Sequence, residues 1–250
     1  KILLNMYKLK LYNSMSNQKE EFTPLDPKNI RIYACGPTVY NYAHIGNARM
    51  AVVFDFLVRL LRWLYPKVTY VSNITDIDDK IIERSLKENV YYSKITSKFT
   101  KIYNEDMSKL NVLKPDKQPK ATDYVKNMIE KIESLEKDGF AYESEKHVLF
   151  NVASFPKYGP LSKRNKTDQI AGSRVDVAQY KKNPLDFILW KPSKPKEPGW
   201  ESPWGLGRPG WHTECFAMSE ELLSMPFDIH GGGMDLKFPH HENEIAQSCC

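Results

Sequence analysis

The stretch NIRIYACG, residues 29–36, is a short apolar run closed by Gly36 and Pro37, and it reads as a buried strand. A loop, TVYNYAHIGN, follows it. From Ala48 to Leu64 the sequence ARMAVVFDFLVRLLRWL is apolar on most sides, which predicts a helix packed inside a layered core. Pro66 closes that helix, and VTYVSNIT (68–75) predicts the next strand. Strand, helix and strand within about fifty residues make a βαβ unit, which implies parallel strands and a right-handed crossover. The fold class is therefore α/β.

Outward from this unit, residues 76–110 read as helical, and KPDKQPKA (114–121) reads as a linker by its prolines and charges. The segment TDYVKNMIEKIESLEKDGF then places Val125, Met128, Ile129, Ile132 and Leu135 on one helical face, with Thr122 as N-cap and Gly139 as C-terminal stop. HVLFNV (147–152) alternates as a strand. Residues 191–209 hold five prolines and cannot be regular throughout. They read as the return path of a subdomain inserted at about 116–200.

The chain has 250 residues, 41% of them hydrophobic, enough to bury a sizeable core in one large domain or two small ones. Its net charge of +5 is compatible with an RNA or nucleotide partner, but many soluble proteins share it. No apolar run reaches the roughly 18 residues of a membrane span, and no secretory signal pattern is present, so no membrane partner is expected. Four cysteines, Cys35, Cys215, Cys249 and Cys250, lack the spacing of a disulfide framework, which favours a reducing, cytoplasmic setting.

Several stretches carry chemistry. In AHIGNAR, His44 and Asn47 sit where a glycine-containing loop enters a helix, and backbone N–H groups at a helix start favour phosphate. An ordinary capped loop would look the same. FDIHGGGMDLKFPHHENE (227–244) has three consecutive glycines that let backbone approach a ligand, and Asp235 beyond them could bind ribose hydroxyls. In PHHENEIAQ, Pro239 suits a helix start, while His240 and Glu244 are four apart and share one helical face. One nitrogen and one oxygen do not hold a metal alone. Cys35 and Cys215 are far apart in sequence and could equally be two small buried hydrophobes. Asp76, Asp78 and Asp79 invite an acid–base or Mg²⁺ role, but carboxylates there also suit capping the helix that follows.

CGPTVYNYAHIGNAR, YVSNITDIDDKI, GRPGWHTEC, FDIHGGGMDL and FPHHENEIAQS occur in this order. Together they closely resemble the catalytic domain of the cysteinyl-tRNA synthetases, a family of class I aminoacyl-tRNA synthetases. The resemblance runs from about Phe22 to Cys250, and RVDVAQYKKNPLDFILWKPSK is similar to the exit of that family's connective peptide. It implies a Rossmann-type parallel sheet, with residues 1–115 as the first half of the catalytic domain, 116–200 as the connective-peptide insertion and 201–250 as the start of the second half.

The activity so implied is ATP-dependent formation of cysteinyl-adenylate from L-cysteine, with Mg²⁺, and transfer of the cysteinyl group to tRNA(Cys) by a cytoplasmic monomer. By likeness of motif, one Zn²⁺ per chain is held by Cys35, Cys215, His240 and Glu244, and selects the cysteine thiolate. His241 and Glu242 are expected not to be ligands. His44 and Asn47 occupy the first and last positions of the HIGH signature, so they are the catalytic and ATP-binding pair. Asn in place of the last histidine excludes a cationic role there. Gly36, Thr75, Trp211 and His230 match the cysteine pocket, and Gly232 and Asp235 the adenosine contacts. The family's KMSKS signature does not occur in these 250 residues, nor does its anticodon-binding domain, so the resemblance covers the first part of an enzyme. Two other readings are a ligase that joins cysteine to an amino sugar and a non-catalytic RNA- or amino-acid-binding paralogue. HHENE does not match the HExxH of zinc peptidases.

Overall fold

The computed structural model describes residues 8–163 and 178–250. An antiparallel hairpin, β1 (Lys10–Asn13) and β2 (Gln18–Glu21), leads to β3 (Ile30–Ala34), α1 (Ile45–Leu64) and β4 (Val68–Ser72). Two helices follow, α2 (Asp79–Glu88) and α3 (Tyr92–Lys109), then α4 (Val125–Lys137), β5 (Ala141–Ser144), β6 (His147–Phe150), β7 (Phe187–Pro192) and β8 (Gly207–Pro209). The chain closes with α5 (Trp211–Leu223), β9 (Ile229–Gly231) and α6 (Glu242–Ser248).

β3 pairs in parallel with β4 on one side and with β9 on the other, giving the order β4-β3-β9. The alternation of β3 divides the core between two helical layers. Ile30, Ile32 and Ala34 pack with Val58 and Leu61 of α1, whereas Tyr33 and Cys35 pack with Cys215, Ala217 and Met218 of α5. A parallel sheet covered on both faces explains why the strand reads as continuously apolar. The βαβ unit and the α/β class hold.

Some expectations need correction. α1 is not surrounded: Ala51, Val58 and Leu61 are buried, while Ile45, Val52, Val53, Phe56 and Trp63 are exposed. Only one face of α1 meets the sheet. The helical stretch 76–110 is two helices, because Asn89 takes a left-handed φ of 50° and ends the first. The linker 114–121 is pinned along the free edge of β4, with Ser72 N donating to Lys117 O and Ile74 N to Pro119 O. Thr122 is not an N-cap: its N–H and hydroxyl both donate to the Asp76 carboxylate, at 2.9 and 2.7 Å. Gly139, at φ +83°, does follow the end of α4.

The second half of the molecule is an antiparallel sheet, β5-β6-β7-β8, packed on α4 through Val125, Ile132, Phe150, Phe187, Leu189 and Trp190. Its fourth strand lies beyond residue 200, so the sheet runs past the expected boundary. Residues 174–177 of the expected insertion exit lie outside the described residues. Ala246 of α6 is fully buried in this same cluster.

Candidate active site and metal centre

The carboxyl ends of β3, β4 and β9 converge, as ligand sites do in open α/β sheets. Cys35 and Gly36 follow β3, Asn73 follows β4, and His230 and Gly231 end β9. Asn73 Oδ1 accepts from Gly36 N at 2.8 Å and from Cys215 Sγ at 3.7 Å, tying strand ends to α5. Across from them the chain leaves an extended Phe238, coils from Pro239 and enters α6. This turn presents His240 and Glu244 together, with Nε2 and Oε1 3.0 Å apart.

Donor atoms of Cys35, Cys215, His240 and Glu244 therefore all lie within 4.8 Å of one another, and all four residues are buried. A second grouping, Cys35, His230, His241 and Glu244, satisfies the same distance. His230 and His241 are less buried, and His230 Nε2 stands 3.3 Å from Glu244 Oε2, where it can orient that carboxylate. His241 Nε2 is 3.5 Å from Cys35 Sγ, within reach of a hydrogen bond to that sulfur.

The electrostatics suit a cation. Burial pushes the Cys35 thiol well up, and the neighbouring Cys215 adds to this. A hydrogen bond with Cys35 pulls the Cys215 thiol down, but burial and the Glu244 and Glu214 carboxylates raise it overall. Burial drives His240 well below the usual imidazole range, and holds His212 and His241 at about 4. Burial opposes ionisation of Glu244 too, yet the surrounding histidines outweigh it and hold the carboxyl at about 2. His240 Nε2 and Glu244 Oε2 are buried with polar neighbours at 3.0 and 3.3 Å but no hydrogen bond of good geometry, a state that proteins seldom tolerate. A divalent cation among these atoms would satisfy both and favour the thiolates. Two sulfurs, one imidazole and one carboxylate form a donor set that fits zinc.

Around this cluster, Trp211 stacks on His240 with centroids 4.2 Å apart, and Tyr33 stacks on His230 at 5.6 Å. Thr75 is buried and reaches the cluster through Asn73, whose Nδ2 donates to its hydroxyl at 3.2 Å. Two glycines of the triplet also answer to packing: a Cβ on Gly231 would meet the Phe54 ring, and one on Gly232 the His241 ring. Asp235 is exposed in a turn over Met234–Leu236. The three aspartates divide their work: Asp78 caps α2, Asp79 pairs with Lys191 and Arg208, and Asp76 holds Thr122. Capping accounts for one of the three.

His44 is the N-cap of α1. Its Nδ1 accepts from Gly46 N at 3.0 Å, while Asn47 Oδ1 accepts from His44 N at 3.1 Å. Since Nδ1 is an acceptor, a neutral His44 carries its proton on Nε2. The capping box thus leaves His44 Nε2–H and Asn47 Nδ2 as donors beside an uncompensated helix N-terminus, which has no acidic residue in its first turn.

Sequence reading missed three residues here. Asn73 bridges Gly36 and Cys215. His212 places Nδ1 3.0 Å from His240 Nδ1. Glu214 is buried and lines, with Asp78, Arg208, Trp211 and His212, a cavity of about 160 Å³ between the core and the antiparallel sheet. Each stands inside a quoted motif, but nothing in its spacing distinguishes it from a packing residue.

The profile of the family described as tRNA synthetases class I (C) catalytic domain matches residues 21–250. The chain belongs to that family. This synthetase domain is 60% identical over 246 residues to the cysteine–tRNA ligase of Parvibaculum lavamentivorans, covering 98% of the chain and 53% of that protein. It is 57% identical over 242 residues to the cysteine–tRNA ligase of Rhodospirillum centenum, covering 97% of the chain and again 53% of the relative. The synthetase domain thus spans about half the length of the curated relatives it matches. Among solved structures, methionyl-tRNA synthetase of Mycobacterium tuberculosis in complex with methionyl-adenylate superposes with a TM-score of 0.64 at 12% identity, over 89% of this chain and 55% of that one. That likeness supports the Rossmann-like fold. No described helix is long and apolar enough to cross a membrane.

Proposed function

We propose that this domain belongs to a cysteine–tRNA ligase, which uses ATP to convert L-cysteine to cysteinyl-adenylate and passes the cysteinyl group to tRNA(Cys). The observation that carries the reading is the convergence of Cys35, Cys215, His240 and Glu244 from three distant segments. A buried pair of sulfurs beside His and Glu suits recognition of a third sulfur, and the 60% identity to a cysteine–tRNA ligase agrees. Residues 116–200 serve as the connective-peptide insertion, between the first half of the catalytic domain (1–115) and the start of the second (201–250). The setting is the cytoplasm and the working form a monomer.

Cys35, Cys215, His240 and Glu244 would hold one zinc ion. When bound, zinc supplies a soft Lewis acid that prefers a thiolate to an alcohol. Gly36, Thr75, Trp211 and His230 enclose the amino acid; Gly232 and Asp235 bind the adenosine. His44 Nε2–H and Asn47 Nδ2, at the start of α1, donate to ATP phosphate oxygens as charge builds on the leaving pyrophosphate, with Mg²⁺ accompanying the nucleotide. The selectivity needed is large: rejecting serine about 10⁴-fold takes roughly 5.5 kcal/mol, beyond a simple apolar pocket.

The test is Co²⁺ substitution. The protein should bind one equivalent and develop a sulfur-to-metal charge-transfer band with cysteine but not with serine. Cys215→Ser should weaken metal binding by at least about 10²-fold, whereas His241→Ala should cost no more than about tenfold. An unchanged spectrum with cysteine, or full metal binding after both Cys35 and Cys215 are replaced, would reject the reading.

A further inference from the structure

We propose that Glu242 is a positioning residue for the metal centre, through which the inserted subdomain sets the placement of His240 and Glu244. The inference rests on the zinc reading above. Glu242 is 1% exposed, and its carboxylate is in neither of the donor groupings of the cluster. Oε1 accepts from Gly159 N at 3.1 Å and Leu161 N at 3.5 Å, and Oε2 from Ser162 N at 2.7 Å. Successive N–H groups of one loop thus converge on one acid, the arrangement by which a backbone concavity holds an anion.

Helical geometry gives this clamp its leverage. Residues two apart lie on opposite sides of a helix, and Glu242 is two from His240 and two from Glu244. The insertion loop therefore grips the helix from behind while the donor pair faces Cys35 and Cys215. Two further contacts act in the same direction. Tyr158 of that loop donates to Asn243 Oδ1, and Ala246 is buried in the hydrophobic cluster of the insertion. α6 also packs on α5, which carries Cys215. Glu244 thus rides on a helix fastened to the insertion and His240 on the turn that enters it, while Cys35 follows β3 and Cys215 rides on α5.

A merely structural clamp would change stability alone. A positioning clamp changes affinity in a protein that is still folded, and by linkage the metal must in turn tighten the clamp. Glu242→Gln keeps one acceptor oxygen but loses the charge and turns an amide NH₂ toward a backbone N–H. It should retain the wild-type circular dichroism spectrum, bind Co²⁺ about 10- to 100-fold more weakly, and show altered d–d bands. Glu242→Asp, which restores the charge, should recover part of the affinity. In the wild type, Zn²⁺ should slow hydrogen exchange at the amides of Gly159, Leu161 and Ser162, which needs no variant to fold. Wild-type affinity and spectrum in a folded Glu242→Gln protein, or no metal-dependent protection of these amides, would overturn the proposal. Failure of the wild type to bind the metal at all would instead reject the zinc reading on which it stands.

Discussion

A Cβ placed on Gly36 would lie 1.6 Å from the carbonyl oxygen of Asn73, so the ends of β3 and β4 approach as closely as a glycine allows. Backbone cannot swing aside as a side-chain tip can, and both neighbours, Cys35 and Asn73, belong to the site. Gly36→Ala should destabilise the fold by about 3 kcal/mol, the upper end for overpacking. At about 2–4 °C per kcal/mol for a domain of this size, thermal melting should drop roughly 6–12 °C. A drop below about 2 °C would show that the strand ends separate freely.

His44 has two duties that different substitutions separate. Asn at this position can still accept from Gly46 N, so His44→Asn should leave stability nearly unchanged, whereas His44→Ala should lose about 1 kcal/mol of helix capping. Both remove the Nε2–H donor. In a form extended to the full length of its relatives, both should slow ATP–pyrophosphate exchange about 10²–10³-fold, with ATP affinity changing much less. Wild-type exchange in His44→Asn would leave the residue a cap and nothing more.

The pair Asp79 and Arg208 joins α2 to β8, and Lys191 of β7 adds a second cation. Burial alone would raise the Asp79 carboxyl, but Lys191 and Arg208 outweigh it and hold the group below the usual carboxylate range. A depressed folded pKa contributes stability above the unfolded value of about 3.9, and that contribution fades as pH falls through the lower folded value. Asp79→Asn should therefore destabilise more at pH 7 than at pH 3, as urea titrations at the two pH values would register. An equal loss at both would mean that the pairing adds nothing.

How much of this was legible in the sequence depends on locality. The apolar run 29–36 and its following helix declared the βαβ unit because their periodicities are local. His240 and Glu244 declared a shared face for the same reason. The clamp between Glu242 and residues 159–162 did not, since both partners look like ordinary loop and helix residues until that loop folds against α6. The glycine triplet carries a second demand that spacing does not show: freedom from a side chain suggested a ligand, and the rings of Phe54 and His241 also need the room beside Gly231 and Gly232. Likewise α1 reads as buried on most sides because its outer face is as apolar as its inner one, and only the sheet's position decides which face is covered.

The distance along the chain between Cys35 and Glu244, 209 residues, has a consequence for synthesis. At about 5–20 residues per second, Cys35 leaves the ribosome roughly 10–40 s before its last partner exists. Throughout that interval it has no neighbour in sequence with which to trap a stray ion, unlike a Cys-x-x-Cys pair. On the zinc reading, metal uptake would follow translation of both Cys35 and Glu244 and their meeting in the folded chain. Occupancy of the ion would then certify a correctly threaded chain.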